Sequence, residues 1–394
     1  MIDPQGTVLS SSLPDAPPRF RSFAHLLFDG PGDPVVLLGS LDSRLVSLSL
    51  NRLRSASLSL IQRLADRGIK PGQTVCLLRL PRTSETLIAV AHVALSAWGV
   101  RVLLPMFVEP ERIGRWLVAS QGKLLLWNHR EATERSEVEA DQDLVRALTQ
   151  HAQQAGVPTC CLERDLGLEH LLENDDPAPA DAMVESLLRS RGPEDPCLLL
   201  TTSGTSGRSK MVQYSAGAFL RSCAAWEQAG LLHPDRLGGR GLCLLFAHSM
   251  GLRALWNALW SRSPLCLVPP EWFVEHPERA RSFLVQMQPE HITGGPAVFR
   301  TLIELARVFP HLKDECLGSI RCAVSSGAPF DPSLAKRLHS ALHLHLYNAL
   351  GLTETQQVAS TAVLGPLSIR EPCLGNLLPG VRLRLLPAKD APPD

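Results

Sequence analysis

The sequence predicts an α/β protein with a doubly wound, parallel sheet pattern and room for two lobes, and three observations carry that expectation. Strand-length apolar runs alternate with helical spacings through the first part of the chain, as in a parallel sheet with crossover helices. The 394 residues suffice for two lobes and a large core, and 45% hydrophobic with 20% charged residues is ordinary for a globular protein. Residues 130 to 195 then turn rich in Glu, Asp, Gln and Ala, with Asp175-Asp176-Pro177-Ala178-Pro179-Ala180 as the clearest break. This gives a loosely held arm over 1–20, a first lobe over 21–175, a linker over 176–195, a second lobe over 196–370, and a short remainder over 371–394.

Each element has a local reason. Apolar positions from Leu41 to Gly68 recur at helical spacing, and Gly68-Ile69-Lys70-Pro71-Gly72 then turns the chain into a strand over Val75 to Leu80. Ser84 to Trp98 reads as an Ala-rich helix and Val100 to Leu104 as a strand stopped by Pro105. A helix begins near Glu109, and Lys123 to Trp127 is a short buried strand. The acidic run Glu131 to Asp141 reads as a solvated helix face or loop. In the second lobe, Leu198 to Leu200 and Gly241 to Phe246 read as strands, the latter followed by an Ala/Leu/Trp helix. His343 and His345 alternate on a strand, and as a metal pair they lack an identifiable third ligand.

Composition narrows the function classes. Lys+Arg and Asp+Glu balance at 39 each, so no net field draws the chain to nucleic acid or an anionic surface. Met1-Ile2-Asp3-Pro4 is no signal sequence, and no apolar run approaches about 18 residues, so no membrane span and a cytoplasmic location are expected. The ten cysteines show neither Cys-x-x-Cys pairs nor zinc spacing and read as reduced, mostly buried thiols.

The stretch that carries chemistry is Thr201-Thr202-Ser203-Gly204-Thr205-Ser206-Gly207-Arg208-Ser209-Lys210, placed directly after the Leu198–Leu200 run. Two glycines let the backbone turn tightly and aim N–H groups at an anion, while hydroxyls and a lysine complete a phosphate cradle. Arg208 and Ser209 separate Gly207 from Lys210, so it is not a Walker A loop. A flexible Ser/Gly surface loop is the alternative from composition alone.

This stretch resembles the Thr-Ser-Gly-Thr-Thr-Gly-x-Pro-Lys-Gly signature of the adenylate-forming superfamily, which comprises acyl- and aryl-CoA ligases, nonribosomal peptide synthetase adenylation domains and luciferase. Ser209 replaces the usual proline and Met211 the usual glycine. Further motifs follow in the family's order. Gly68 to Val75 is similar to its Gly-x-x-x-Gly-Asp-x-Val turn, with Gln73 for aspartate, and Gly99 and Pro105 sit where it has Lys-Ala-Gly-x-x-x-x-Pro. Ala247-His248-Ser249-Met250-Gly251-Leu252 resembles the Phe-His-x-x-Gly-Leu loop of CoA ligases; amino-acid-activating domains carry an aspartate there, so the loop points away from amino acids. Pro289 to Ala297, including Gly295, resembles the turn before the acid pocket, and Ser325-Ser326-Gly327-Ala328-Pro329 the strand end that packs on adenine. Tyr347-Asn348-Ala349-Leu350-Gly351-Leu352-Thr353-Glu354 resembles Asn-x-Tyr-Gly-x-Thr-Glu, with Leu350 in place of the stacking aromatic. Gly375 to Gly380 resembles the lead into a small β-barrel.

The resemblance implies the large N-terminal domain of such an enzyme, with two stacked doubly wound lobes, the start of a β-barrel, and no counterpart of the C-terminal domain with its lysine. It implies ATP-dependent conversion of a small carboxylic acid, fatty or aryl rather than amino acid, to an acyl-adenylate for transfer to CoA or a phosphopantetheine carrier protein. Thr202, Ser203, Gly204, Thr205, Ser206, Gly207 and Lys210 would hold ATP phosphates, Thr353 the α-phosphate, and Glu354 Mg²⁺. Ser326, Gly327, Ala328, Pro329, Asn348, Ala349, Leu350 and Gly351 would surround the nucleotide, and His248, Ser249, Gly251 and Gly295 the acid. Lys210, His248, Thr353 and Glu354 are the expected catalytic set. Two alternatives stay open: a catalytically impaired homologue that binds a nucleotide or partner, and an N-terminal part completed by a C-terminal domain in trans.

Overall fold

A computed structural model describes residues 7–15, 17–41, 44–80, 83–128, 135–174, 181–190, 192–202, 210–233, 237–244, 247–360 and 374–385. The expected break at 175–180, the loop residues Ser203 to Ser209, and Phe246 lie outside them, as do the side chains of the run Glu131 to Asp141. The fold is α/β, with two large sheets around shared helices.

One sheet has six strands in the spatial order Thr159–Cys161, Gly122–Trp127, Thr74–Leu78, Arg101–Leu104, Pro196–Thr201, Met211–Ser215. All neighbours run parallel except the last pair, an antiparallel hairpin at one edge. The other has nine strands, ordered Asn376–Leu377, Gln356–Ser360, Leu346–Leu352, Cys322–Ser325, His291–Gly294, Gly241–Cys243, Leu265–Leu267, Val35–Leu41, Arg44–Ser49. It is parallel from Leu346–Leu352 through Val35–Leu41 and ends in antiparallel pairs on both sides. Sheet membership therefore crosses chain order. The early hairpin of 35–49 completes the nine-stranded sheet, and the hairpin of 196–215 completes the six-stranded one.

The helix Glu85–Trp98 explains how the layers join. Its sequence is apolar on all sides and every residue is buried, as expected of a helix with no solvent face. It packs on Val35–Leu41 of one sheet and on Thr74–Leu78 and Arg101–Leu104 of the other. Ser84 caps it by accepting from the Leu87 N–H, and Gly99 ends it in the left-handed region at φ 78°. Its leucines and alanines share a core with Trp256 and Trp260 of the helix Ser249–Ser261 and Phe219 of the helix Ala216–Gln228.

Several expectations change. The helical spacing expected from Leu41 is helix only over Leu50–Ala65; Arg44–Ser49 is a strand, and Ser49 caps the helix through the Arg52 N–H. Neither His343 nor His345 is on a strand: His343 ends the helix Pro332–Leu342 at φ 55°, His345 precedes the strand Leu346–Leu352, and the His339 ring is 6.0 Å from the first and 4.9 Å from the second. Residues 135–154 and 181–190 form helices. The N-terminal arm is anchored, since Thr7–Ser10 pairs antiparallel with Arg382–Leu385. No closed barrel forms among the described residues; Asn376–Leu377 instead extends the nine-stranded sheet. The described cysteines, Cys76 to Cys322, are all free and buried. Among the described residues, no helix is long and apolar enough to cross a membrane.

Candidate functional site

Parallel strands leave their carboxyl-end loops on one side, which is where open α/β sheets build clefts. Here a cleft of about 460 Å³ opens there, bringing together residues from both sheets.

The first wall comes from the six-stranded sheet. The strands Pro196–Thr201 and Met211–Ser215 are closed by two bonds: the Thr202 N–H donates to the Lys210 carbonyl at 2.9 Å, and the Lys210 N–H donates to Thr202 Oγ1 at 3.2 Å. Thr202 and Lys210 are thus clasped at the two ends of the Ser/Gly loop. Lys210 is exposed at the cleft. Thr201 is buried and accepts from the Met106 N–H at 3.2 Å, which fixes the loop after Arg101–Leu104 beside the hairpin.

The second wall comes from the nine-stranded sheet. His248 caps the helix Ser249–Ser261, its Nδ1 accepting from the Met250 N–H at 3.2 Å. Nε2 is then left as the ring's donor, and burial together with the Arg253 cation holds the imidazole below its usual pKa, so the ring is neutral at neutral pH. Ser326 and Gly327 follow the strand Cys322–Ser325, with the Ser326 N–H donating to the Gly294 carbonyl at 3.0 Å. Gly327 has φ +81°, and a Cβ there would stand 3.5 Å from Met250 Cε and 4.0 Å from His248 Cε1, so the bare backbone keeps the cleft floor open.

Thr353 and Glu354 occupy the turn between the antiparallel strands Leu346–Leu352 and Gln356–Ser360. A register shift between Leu350 and Gly351 bends this hairpin. A Cβ on Gly351 would lie 2.6 Å from the Gln356 carbonyl oxygen, so only glycine fits the bend. Glu354 is exposed and Thr353 half-buried, both facing the cleft that Lys210 and Thr202 line from the other sheet.

Residues 30–393 match the AMP-binding enzyme family. The chain belongs to that family. Over 164 residues, 41% of this chain and 30% of the relative, it is 31% identical to 3-[(3aS,4S,7aS)-7a-methyl-1,5-dioxo-octahydro-1H-inden-4-yl]propanoyl:CoA ligase of Mycobacterium tuberculosis (strain ATCC 25618 / H37Rv). Its fold is similar to that of ATP-bound MatB from Rhodopseudomonas palustris, at 20% identity, TM-score 0.67, and 92% and 65% of the two chains covered. It is also similar to the anthranilate CoA ligase AuaEII in complex with anthranoyl-AMP, at 15% identity, TM-score 0.70, and 92% and 64% coverage. The chain therefore spans just under two thirds of the length of these structures, and less than a third of the curated relative is matched.

In this member of the AMP-binding enzyme family, the cleft gathers Thr202, Lys210, His248, Ser249, Ser326, Gly327, Gly351, Thr353 and Glu354 of the residues singled out by sequence. Ser203 to Gly207 lie outside the described residues. Asn348 and Ala349 are buried in the strand beneath, Leu350 is half-buried there, Gly251 is inside the helix after His248, and Ala328 and Pro329 are exposed beyond Gly327. Gly295 is outside the cleft lining, but its Cβ position lies 3.7 Å from the Ser326 carbonyl oxygen.

Sequence reading missed Met106, Met250, Leu352 and Arg253. Arg253 had a signal: it is the one cation in the apolar run Met250 to Trp260. It is 6% exposed, and burial pushes its pKa down to about 10. Among the described residues no group of three His, Cys, Asp or Glu side chains converges as a metal cage. The donor set offers Glu354 as a single hard oxygen ligand, which suits a Mg²⁺ ion that takes its other ligands from phosphates and water.

Proposed function

We propose that this chain activates a carboxylic acid with ATP to an acyl-adenylate, for transfer to the thiol of CoA or of a carrier protein, and that the acid is fatty or aryl rather than an amino acid. The observation that carries the reading is one cleft that places a phosphate-type pair, Thr202 and Lys210, opposite Thr353 and Glu354, with His248 on its floor. No acidic side chain sits at the His248 position to meet a substrate ammonium.

In the proposed reaction a carboxylate oxygen attacks the α-phosphorus of ATP in line. A P–O bond forms, the bond to the β-phosphate oxygen breaks, and pyrophosphate leaves with its electron pair. Lys210 and Thr202 would hold the departing β,γ-phosphates, together with the hydroxyls and N–H groups of Ser203 to Gly207. Thr353 would donate to an α-phosphate oxygen. The neutral His248, with hydrogen on Nε2, can donate to the acid carboxylate and hold it without removing its charge. Glu354 would bind Mg²⁺, which neutralises phosphate charge when present. Ser326 and Gly327 would face the nucleoside, and Leu350 gives the base an aliphatic contact in place of an aromatic one. Positioning and charge stabilisation are what such a cleft contributes to phosphoryl chemistry. In the second half-reaction the thiol sulfur attacks the acyl carbon, a thioester forms, the thiol proton is released, and AMP leaves.

ATP–pyrophosphate exchange with a panel of fatty, aryl and amino acids tests the proposal, run with and without a matched C-terminal domain added in trans. Exchange should require a fatty or aryl acid, and Glu354→Gln should weaken Mg²⁺-dependent ATP binding while leaving the melting temperature nearly unchanged. An amino acid as the best substrate, or an unaltered Mg²⁺ dependence in Glu354→Gln, would overturn the corresponding assignment. Failure to bind any nucleotide or adenylate mimic would favour a partner-binding homologue. The proposed site of action is the cytoplasm, where ATP and CoA are available.

A further inference from the structure

Arg253 and Asn257 lie one turn apart on the helix Ser249–Ser261, an otherwise apolar helix, and both are 6% exposed. Arg253 Nη1 donates to Gln357 Oε1 at 2.7 Å, and the guanidinium sits 5.4 Å from the centroid of the Trp226 ring. Its Nε has no hydrogen-bond partner, and among the described residues no carboxylate forms an ion pair with it. A guanidinium this deeply buried is costly to keep without a counter-ion. Arg79, by contrast, carries two carboxylates.

A small cavity of about 20 Å³ adjoins Arg253, and Met250 and Arg253 wall both this cavity and the main cleft. Its remaining wall holds Trp226, Asn257, His291 and Thr293, with Leu237 and Ala254 as apolar contacts. Four buried polar atoms on these walls are unpartnered: Arg253 Nε, Trp226 Nε1, Asn257 Oδ1 and His291 Nδ1. His291 Nε2 lies 3.2 Å from the Gly239 carbonyl, which can only accept, so Nε2 carries the hydrogen and Nδ1 is an acceptor. Buried polar atoms without a partner occur elsewhere in this chain too, but here four of them, one on a buried cation, converge on one cavity. The space is narrow, and Met250, on the wall it shares with the main cleft, would have to move aside for a carboxylate and its chain to enter. Water could bridge the dipoles but would leave the Arg253 charge uncompensated.

We infer that this cavity is the far end of the acid pocket and that it receives a second carboxylate, carried by the substrate at the end opposite the reacting one, through Arg253 and the Trp226 indole N–H. The inference rests on the reading of the main cleft as an acid-activating site. The substrate class it names is a dicarboxylic acid whose middle is apolar. Asn257 Oδ1 and His291 Nδ1 only accept, so the anion's oxygens belong at Arg253 and Trp226, and the two acceptors suit a water or the hydroxyl of a protonated carboxyl. Met250, an unbranched thioether between the two spaces, can shift to let the acyl chain through.

The test is calorimetric binding of acyl-sulfamoyl-adenosines in matched pairs of equal chain length, one ending in a methyl group and one in a carboxylate. Across a length series, one carboxylate-ended member should bind roughly ten- to a hundred-fold tighter than its methyl partner, the span of a charge-assisted hydrogen bond. Arg253→Met should abolish or reverse that preference, Arg253→Lys should keep part of it, and Trp226→Phe, which removes the indole donor and keeps an aromatic face beside Arg253, should reduce it without removing the charge. Equal or tighter binding of the methyl-ended mimic by the wild-type chain at every length would overturn the inference and leave the adenylation reading standing. Absence of binding by either kind, in a sample with a cooperative melt, would remove the adenylation reading and the inference with it.

Discussion

Removing the Arg79 guanidinium should unfold this protein more readily while leaving the cleft chemistry intact. Arg79 follows the strand Thr74–Leu78 of the six-stranded sheet and reaches two carboxylates. Its Nε donates to Glu85 Oε1 at 2.6 Å, and its Nη1 and Nη2 fork onto the two oxygens of Glu271, both at 2.7 Å. Glu85 opens the fully buried helix and is 2% exposed; Glu271 lies just past Leu265–Leu267 in the nine-stranded sheet. In Arg79→Met, Glu85 remains buried with no cation beside it. Burial already raises its carboxyl above the usual range, against the pull of Arg79 and with the help of Glu271. Breaking a buried pair on one side costs about 3 to 5 kcal/mol, whereas replacing the charges together by apolar groups is often near neutral. Urea denaturation at pH 7 should therefore show a loss of about 3 to 5 kcal/mol for Arg79→Met, and Arg79→Met with Glu85→Leu should recover much of it. In the single variant the folded carboxyl binds its proton more tightly than the unfolded one. The deficit should accordingly shrink as pH is lowered through that raised pKa. A loss under about 1 kcal/mol, or a double variant no better than the single one, would refute the argument that the network is a buried, interdependent unit.

Gly351→Ala should lower acid-dependent pyrophosphate exchange by at least about ten-fold, since the new Cβ meets the Gln356 carbonyl at 2.6 Å and the Gln357 Cα at 3.0 Å and must displace the turn that carries Thr353 and Glu354. Wild-type exchange in that variant would show that the bend is not needed. Burial depresses the pKa of His92 to about 3 and that of His291 to about 4, so both stay neutral in the fold while the unfolded chain protonates near pH 6.5. Their stability contribution is complete above about pH 6.5 and is lost as pH falls, by up to about 1.4 kcal/mol per pH unit for each group. His92→Leu should flatten the wild-type fall in urea midpoint between pH 6.5 and 4.5, and an unchanged slope would remove His92 from the account.

Much of the fold was legible because local and tertiary demands agree. The helix Glu85–Trp98 shows this: Ser84 and Gly99 mark its ends in the sequence, and its lack of a polar face states that it lies between layers. Leucine and serine alternate from Ser47 to Leu50, a period that fits a strand, yet Leu45 and Leu48, like Leu50 and Leu53, also fall at a helical interval. Pairing with Val35–Leu41 decides for the strand, and that partner is a tertiary fact. His343 was misplaced for a related reason, because a left-handed helix end on a residue other than glycine leaves little trace in sequence. At the site, the cleft lining includes Thr202, Lys210, His248, Ser326, Thr353 and Glu354, all from stretches that stand out in the sequence. Arg253 stands out in the sequence only as one cation in an apolar run, and its meaning comes from partners, Gln357 and Trp226, brought to it from elsewhere in the chain.

The exchange of hairpins between sheets separates the stability of this protein from its chemistry. Thr202 and Lys210 stand on an edge hairpin of the six-stranded sheet, and Thr353 and Glu354 on a hairpin near the edge of the nine-stranded one. Their spacing across the cleft is set by what lies between the sheets: the helix Glu85–Trp98 and the tryptophans of Ser249–Ser261. Stacking of Phe23 on Trp256, with centroids 3.9 Å apart, adds the N-terminal helix Phe23–Phe28 to that layer. Such a layer fixes distance through many small contacts, so losing Arg79 weakens the whole fold before it alters any one distance in the cleft. A bend such as Gly351 has the opposite character: it touches few core atoms, but it aims two side chains. The two kinds of variant should therefore divide between melting temperature and exchange rate, and Arg253, which lies in both the core and the cleft wall, is the residue at which the two effects meet.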